Sequence, residues 1–115
     1  MGKKTNLTAA NMADILKFLY ALKKEGIDVT KAVLFGSYAK GSNTPDSDID
    51  IAVVSPQFGR DAFGEMVFLR KIALTIDSHI EPLPFSPSGI SDRYSTLAQE
   101  IRKYGKTINF RSARN

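Results

Sequence analysis

Two aspartates separated by one residue are the side chains of this sequence best suited to chemistry. Asp48 and Asp50 flank Ile49 at the start of an apolar run that continues to Val54. Side chains alternate between the two faces of a strand, so a strand here places both carboxylates on one face, about 7 Å apart. Such a pair binds Mg²⁺ together with the phosphate oxygens of a nucleotide. An exposed turn aspartate followed by an exposed strand aspartate is the alternative interpretation.

A glycine-rich loop precedes the aspartates and supplies groups that bind phosphate. Gly36 and Ser37 directly follow a run of apolar residues, and Gly41 stands five residues after Gly36. Glycine lets the backbone approach a ligand closely, and the N–H groups at the start of a short helix, together with the serine hydroxyl, form an anion site. The spacing is that of neither a Walker loop nor a dinucleotide-binding loop. Lys40 and Ser47, in the same loop, are further candidates for nucleotide binding.

The segment from Phe35 to Val54 resembles the signature of the polymerase-β-like nucleotidyltransferase superfamily, in which a Gly-Ser pair is followed by a spaced glycine and then by Asp-x-Asp. Within that superfamily, the short chain is similar to the minimal nucleotidyltransferases, which are often encoded beside a helical HEPN protein. The alternating order of helices and strands predicts an α/β fold in which helices pack on a small mixed β-sheet, and the resemblance implies that this fold is like the polymerase-β palm. The resemblance also implies two Mg²⁺ ions and ATP or another nucleoside triphosphate as substrate.

The same resemblance implies a third acidic residue on a later strand, and Glu81 is the match. Members of the family often carry aspartate there, so glutamate is a departure. Asp77 is the alternative, although the preceding helix is expected to end at that residue. In this scheme Asp48, Asp50 and Glu81 hold the metal ions, and Glu81 also accepts the proton of the acceptor hydroxyl. His79, the one histidine of the sequence, is expected to pack or hydrogen-bond rather than to take part in catalysis.

The function implied by the resemblance is the Mg²⁺-dependent transfer of a nucleoside monophosphate, AMP from ATP in the first instance, to a hydroxyl group. The implied acceptor is a protein, such as a partner HEPN toxin, which makes this chain an antitoxin. The alternative is a non-catalytic subunit that binds the nucleotide or neutralises the partner, and self-association stays open. The formal net charge of +4 is compatible with RNA binding, but no basic run with interleaved aromatics supports nucleic acid as a ligand.

Alternating helices and strands are required to position these residues. Apolar spacing predicts helices at about 12–23, 61–77 and 91–104, strands at 32–35, 49–54 and 79–85, and a last short strand or extended tail at 107–110. Thr8 or Asn11 is expected to cap the first helix and Gly26 to end it. Two prolines, Pro82 and Pro84, predict that the third strand lies at a sheet edge, because proline cannot donate to a ladder.

Several aromatic residues at helical spacing are assigned to the core by the same periodicity. Tyr20 belongs to the first helix, and Phe63 and Phe68 belong to the second. In the third helix, the expected apolar side is formed by Tyr94, Leu97, Ile101 and Tyr104.

Length and composition fit one globular domain over residues 1–115. The chain is 43% hydrophobic and 24% charged, and it has no cysteine for a disulfide or a thiolate metal site. No stretch approaches the ~20 apolar residues of a membrane span, and the N-terminal segment lacks the apolar core of a signal peptide, so we expect a cytoplasmic protein. Basic residues near both ends are expected to lie in solvated tails: Lys3, Lys4, Arg111 and Arg114.

Overall fold

Four strands form a mixed sheet that carries helices on both faces. The computed structural model describes residues 7–110, so the four basic residues assigned to solvated tails lie outside the described part. The helices are α1 (Ala9–Lys24), α2 (Ser37–Lys40), α3 (Ala62–Leu74), α4 (Pro87–Ile90) and α5 (Thr96–Tyr104), and the strands are β1 (Lys31–Phe35), β2 (Ile49–Val54), β3 (Ile80–Phe85) and β4 (Lys106–Thr107). None of the helices in this part of the chain is long and apolar enough to span a membrane.

The order of the strands places β2 inside the sheet. The order is β3-β2-β1-β4, in which β1 pairs antiparallel with β2 and with β4, whereas β2 pairs parallel with β3. This confirms the predicted mixed sheet. It also confirms that the strand containing Pro82 and Pro84 lies at an edge of the sheet. Proline is tolerated there because the position without an N–H can face the side that has no neighbouring strand.

The alternation of side chains along the strands creates two apolar layers. The larger layer joins α1 and α3 to one face of the sheet, and its strand residues include Leu34, Ile49, Ile51 and Val53. The smaller layer joins α5 to the other face through Ile101, Val33, Phe35 and Ala52. Because residues two apart on a strand share a face, Asp50 lies on the same face of β2 as Ala52, on the side of α5.

The caps of α1 agree with the sequence prediction. Thr8 Oγ1 accepts a hydrogen bond from Asn11 N at 3.0 Å, and Asn11 Oδ1 accepts one from Thr8 N at 3.2 Å. These two bonds form a capping box, so both predicted residues take part. The helix ends at Lys24, and the left-handed Gly26 follows two residues later.

The predicted helix at 91–104 is wrong in its first five residues. The helix α5 starts at Thr96, with Ser95 as its cap, and the short helix α4 was not predicted. The buried residues of α5 are Ala98 and Ile101, so only Ile101 of the expected apolar side is buried. Tyr94 lies before the helix and is 85% exposed, and Leu97 and Tyr104 are exposed as well. The last strand, β4, is also shorter and earlier than the predicted segment 107–110.

Two of the aromatic residues assigned to the core are on the surface. Tyr20 is 61% exposed and Phe63 is 73% exposed, whereas Phe68 packs against the larger apolar layer as expected. The second predicted helix is likewise shorter than 61–77, because Asp61 is the cap of α3 and the helix ends at Leu74. Periodicity shows which residues share a face of a helix but not how much of that face is covered.

Candidate active site

The turn after β1 lies directly against the carboxylate of Asp50. Gly36, the first residue of this turn, has φ 74° and ψ −151°, a region that is essentially restricted to glycine. A Cβ built on Gly36 would collide with Asp50 Oδ2 and lie 3.1 Å from Asp50 Cγ. The strand register explains this approach, since Phe35 is the antiparallel partner of Asp50. Glycine at position 36 therefore leaves the space that the carboxylate occupies.

The backbone that follows Gly36 forms a single helical turn, α2, anchored in the core. Tyr38 and Ala39 are buried, and Lys40 N donates to Gly36 O at 3.2 Å. Gly41 ends the turn in a left-handed conformation. The first N–H groups of a helix have no acceptor within that helix, so the backbone from Ser37 onward offers donors to an anion beside Asp50. This arrangement agrees with the predicted loop containing one helical turn.

A hydrogen-bonded turn leads the chain from α2 into the aspartate pair. Ser47 N donates to Thr44 O at 3.0 Å, and Thr44 N donates to Ser47 Oγ at 2.8 Å. The Ser47 hydroxyl therefore shapes the turn before Asp48, and its predicted contact with the nucleotide stays a prediction. Asp48 itself is exposed and lies one residue before β2.

Three carboxylates act on one another at the start of β2 and β3. Asp50 is the parallel partner of Glu81, and neighbouring strands are about 4.8 Å apart. The pKa of Asp50 is raised from 3.8 to about 6, first by burial and then by the negative charges of Asp48 and Glu81. The structure thus places Glu81 beside Asp50 in the sheet, and the charges of Asp48 and Glu81 both act on Asp50.

The chemistry of this cluster fits a divalent cation that shares its ligands with phosphate. Within residues 7–110, no three acidic or histidine side chains form a complete metal-binding group by themselves. Mg²⁺ does not need such a group, because it is usually bound by one or two carboxylates, substrate phosphates and water. The pKa of Asp50 is raised first by burial and then by the negative charges of Asp48 and Glu81, and a bound cation would neutralise those charges.

Asp77, the alternative third carboxylate, is engaged elsewhere. Asp77 Oδ1 accepts from His79 N at 2.9 Å and lies 3.1 Å from His79 Nδ1. The backbone hydrogen bond from His79 is the main reason why the pKa of Asp77 is lowered. The pair therefore shapes the entry into β3, and His79 makes the kind of hydrogen bond expected of it. Glu81, rather than Asp77, is the residue in register with Asp50.

Lys40 points toward α5 and makes two contacts there. Its Nζ lies 3.0 Å from Glu100 Oε2 and 5.3 Å from the centre of the Tyr104 ring. These contacts attach α2 to α5. A contact between Lys40 and a nucleotide phosphate stays a prediction.

One charged residue at the site, Arg70 of α3, was missed by sequence reasoning. Its Nη1 forms an ion pair with Glu81 Oε2. Residues 70 and 81 are far apart in the sequence, and Arg70 stands in an otherwise apolar helical pattern next to Lys71. No local signal distinguishes the two basic residues; only the packing of α3 on β3 does.

The raised pKa of Asp50 predicts that the contribution of this residue to the stability of the metal-free protein falls as the pH rises. The folded state binds the proton more tightly than the unfolded chain, because the pKa is about 6 in the fold against 3.8 ordinarily. The contribution of Asp50 to stability is therefore complete below a pH of about 4 and is lost as the pH rises through about 6. We expect urea unfolding in a chelator to show this decline in the free energy of unfolding of the wild type relative to that of Asp50→Asn. Asp50→Asn should remove it, and an equal decline in the variant would contradict the assignment.

The sequence and the fold of this chain are similar to those of known nucleotidyltransferases. The profile of a nucleotidyltransferase domain matches residues 12–105. A Methanocaldococcus jannaschii protein assigned as a protein adenylyltransferase is 36% identical over 69 residues, which are 56% of this chain and 69% of that protein. A chain of a toxin–antitoxin complex crystallised with AMP-PNP is 27% identical, with a TM-score of 0.60 over 88% of this chain and 74% of that chain.

A more distant structure shares the fold. It is a chain from the complex of a tri-AMPylated Shewanella oneidensis HEPN toxin with an MNT antitoxin. The identity is 24% and the TM-score is 0.51, over 85% of this chain and 73% of that chain.

Proposed function

This chain belongs to the nucleotidyltransferase domain family, and from that premise we propose that it transfers AMP from ATP to a hydroxyl group of a partner protein. One observation carries the proposal: Gly36, at the start of the phosphate-binding turn, is in contact with the carboxylate of Asp50. Hydrogen-bond donors for phosphate that lie directly beside a metal-binding carboxylate suit a metal-bound triphosphate.

The residues of the site take distinct roles in this reaction. Asp48 and Asp50 would hold Mg²⁺ together with the triphosphate, and such an ion would supply positive charge to offset the negative charge that develops at the α-phosphate. The Ser37 hydroxyl and the N–H groups at the start of α2 bind the β- and γ-phosphates. Glu81, on the neighbouring strand, accepts the proton of the attacking hydroxyl.

The partner that we propose is a HEPN-type helical toxin, for which this chain is the antitoxin. The similarity to a chain of a toxin–antitoxin complex with AMP-PNP, an analogue of ATP, supports a toxin as the partner and ATP as the nucleotide. The relative assigned as a protein adenylyltransferase supports AMP as the transferred group and a protein as the acceptor. The reaction then belongs in the cytoplasm, where ATP is available.

A labelling experiment tests the proposed function. The purified chain is incubated with Mg²⁺, ATP and the protein encoded by the adjacent gene as acceptor. We expect label from α-³²P-ATP to enter the acceptor and label from γ-³²P-ATP to be absent, because the β- and γ-phosphates leave as pyrophosphate. No transfer by a wild-type chain that binds ATP in calorimetry would instead support the non-catalytic nucleotide-binding subunit.

A further inference from the structure

An ion pair joins the third carboxylate of the site to α3. Arg70 Nη1 contacts Glu81 Oε2, and the two side chains are 38% and 35% exposed. Glu81 lies on β3, the edge strand, and the helix that carries Arg70 packs on the opposite face of the sheet from Asp50. The arginine side chain therefore reaches Glu81 around the open edge of the sheet.

The backbone of Arg70 is held firmly. The preceding residue, Leu69, and Ala73, one turn later, are both fully buried in the larger apolar layer. Buried side chains in a packed core keep a single arrangement. Arg70 is thus attached at a fixed point of α3, and its guanidinium limits where the carboxylate of Glu81 can move.

Glu81 needs such a restraint. Glu81 is the register partner of Asp50 on the neighbouring strand, and its negative charge acts on Asp50, so the two like charges repel. A glutamate has one more rotatable bond than an aspartate, so its carboxylate has more freedom to swing into solvent. Among residues 7–110, Arg70 is the only side chain found in an ion pair or hydrogen bond with Glu81.

We propose that Arg70 is a positioning residue, which holds the carboxylate of Glu81 beside Asp50 so that it can bind metal and receive the proton of the acceptor hydroxyl. This proposal rests on the proposed function, and it assigns Arg70 no contact with the nucleotide or the acceptor. The ion pair uses Oε2 of Glu81, and the second carboxylate oxygen is left for the metal.

The first test measures metal binding without any turnover. Mn²⁺, which reports by electron paramagnetic resonance, is titrated into the wild type, Arg70→Gln and Lys71→Gln in the presence of the ATP analogue AMP-PNP. Removing a partner that orients a metal-binding residue typically weakens metal affinity 10- to 100-fold. Because this ion pair is over a third exposed, we expect about 10-fold weaker binding in Arg70→Gln. The Lys71→Gln control removes the same charge from the next, exposed residue of α3.

The direction of the effect separates positioning from simple charge. Removing a positive charge near a metal site strengthens cation binding when only Coulomb repulsion matters. Weaker binding in Arg70→Gln therefore supports positioning, and Arg70→Lys, which keeps an ion pair, should recover part of the affinity. An exposed ion pair contributes little to stability, so the melting temperature should hardly change.

A double-mutant cycle completes the test. In a Glu81→Gln background, where the charge to be positioned is gone, Arg70→Gln should change the affinity for Mn²⁺ by less than about 2-fold. Tighter metal binding in Arg70→Gln, or an affinity equal to that of Lys71→Gln, would overturn the proposal. Failure of the proposed function looks different, because the wild type itself would then transfer no AMP.

Discussion

Asp50→Asn is expected to lower the rate of AMP transfer by about a thousand-fold, roughly 4 kcal/mol of transition-state stabilisation. An asparagine has nearly the same shape as the aspartate, so the contact with Gly36 is retained. It lacks the negative charge that a cation requires, and Asp50 is the carboxylate that both adjoins the phosphate-binding turn and stands in register with Glu81. The measurement is the initial rate of label transfer from α-³²P-ATP at saturating Mg²⁺.

The matched control for this variant is Asp46→Asn. Asp46 is an exposed aspartate of the same loop, four residues before Asp50, and its replacement makes the same chemical change away from Gly36. We expect Asp46→Asn to transfer AMP at close to the wild-type rate. An Asp50→Asn variant that retains more than about a tenth of the wild-type rate would contradict the role assigned to this carboxylate.

In Asp50→Asn, the loss of activity should be accompanied by a higher free energy of unfolding of the metal-free protein. The raised pKa of Asp50 shows that the fold disfavours its charged form, so the neutral asparagine relieves an unfavourable interaction at neutral pH. A charge kept where it destabilises the fold is typical of functional sites. A variant that is inactive and yet no less stable therefore distinguishes a lost site from a lost fold.

The parts of the site that follow from local sequence could be predicted. The alternation of Asp48 and Asp50 is visible in the sequence because side chains on a strand have a period of two. The turn at Gly36 is visible because a glycine and a serine follow a buried run. The mixed sheet and the edge position of the third strand follow from the order of the elements and from the prolines.

Contacts that depend on register and packing could not be predicted. The approach of Gly36 to Asp50 requires that Phe35 pair with Asp50, and nothing in a single strand specifies its partner. The ion pair of Arg70 with Glu81 additionally requires α3 to pack against the edge of the sheet. The first contact joins segments separated by α2 and a loop, and the second joins the consecutive elements α3 and β3, so both exist only in the folded chain.

The start of α5 was missed for a different reason, because side chains there satisfy the backbone outside a helix. Asp92 Oδ1 accepts from Tyr94 N at 2.9 Å, and Arg102 Nη1 donates to Ile90 O at 2.6 Å. These bonds favour a turn over a helix despite the apolar spacing. For α4 a signal was present, since Ser86 followed by proline is a helix cap followed by a first-turn proline.

Gly36→Ala is the second variant with a large expected effect, and it tests the contact on which the site depends. We expect at least a hundred-fold loss of AMP transfer together with a lower melting temperature. Alanine at this position is unfavourable for two reasons. The backbone conformation costs about 1–3 kcal/mol for a residue other than glycine, and the Cβ of alanine collides with the carboxylate of Asp50. To relieve the collision, either the phosphate-binding turn or the metal-binding side chain must move, and both movements disrupt the arrangement that the reaction uses.

The chain offers a control that separates strain from collision. Gly26 also has a positive φ, of 88°, but a Cβ built there meets nothing within 4 Å. Gly26→Ala should therefore lose some stability through backbone strain and keep its activity. The double variant Gly36→Ala/Asp50→Ala lacks the carboxylate with which the new Cβ collides. It should therefore regain part of the stability lost in Gly36→Ala, but it should remain inactive. If Gly36→Ala were no less stable than Gly26→Ala, or if it remained active, the Gly36–Asp50 contact could not be what couples phosphate binding to the metal site.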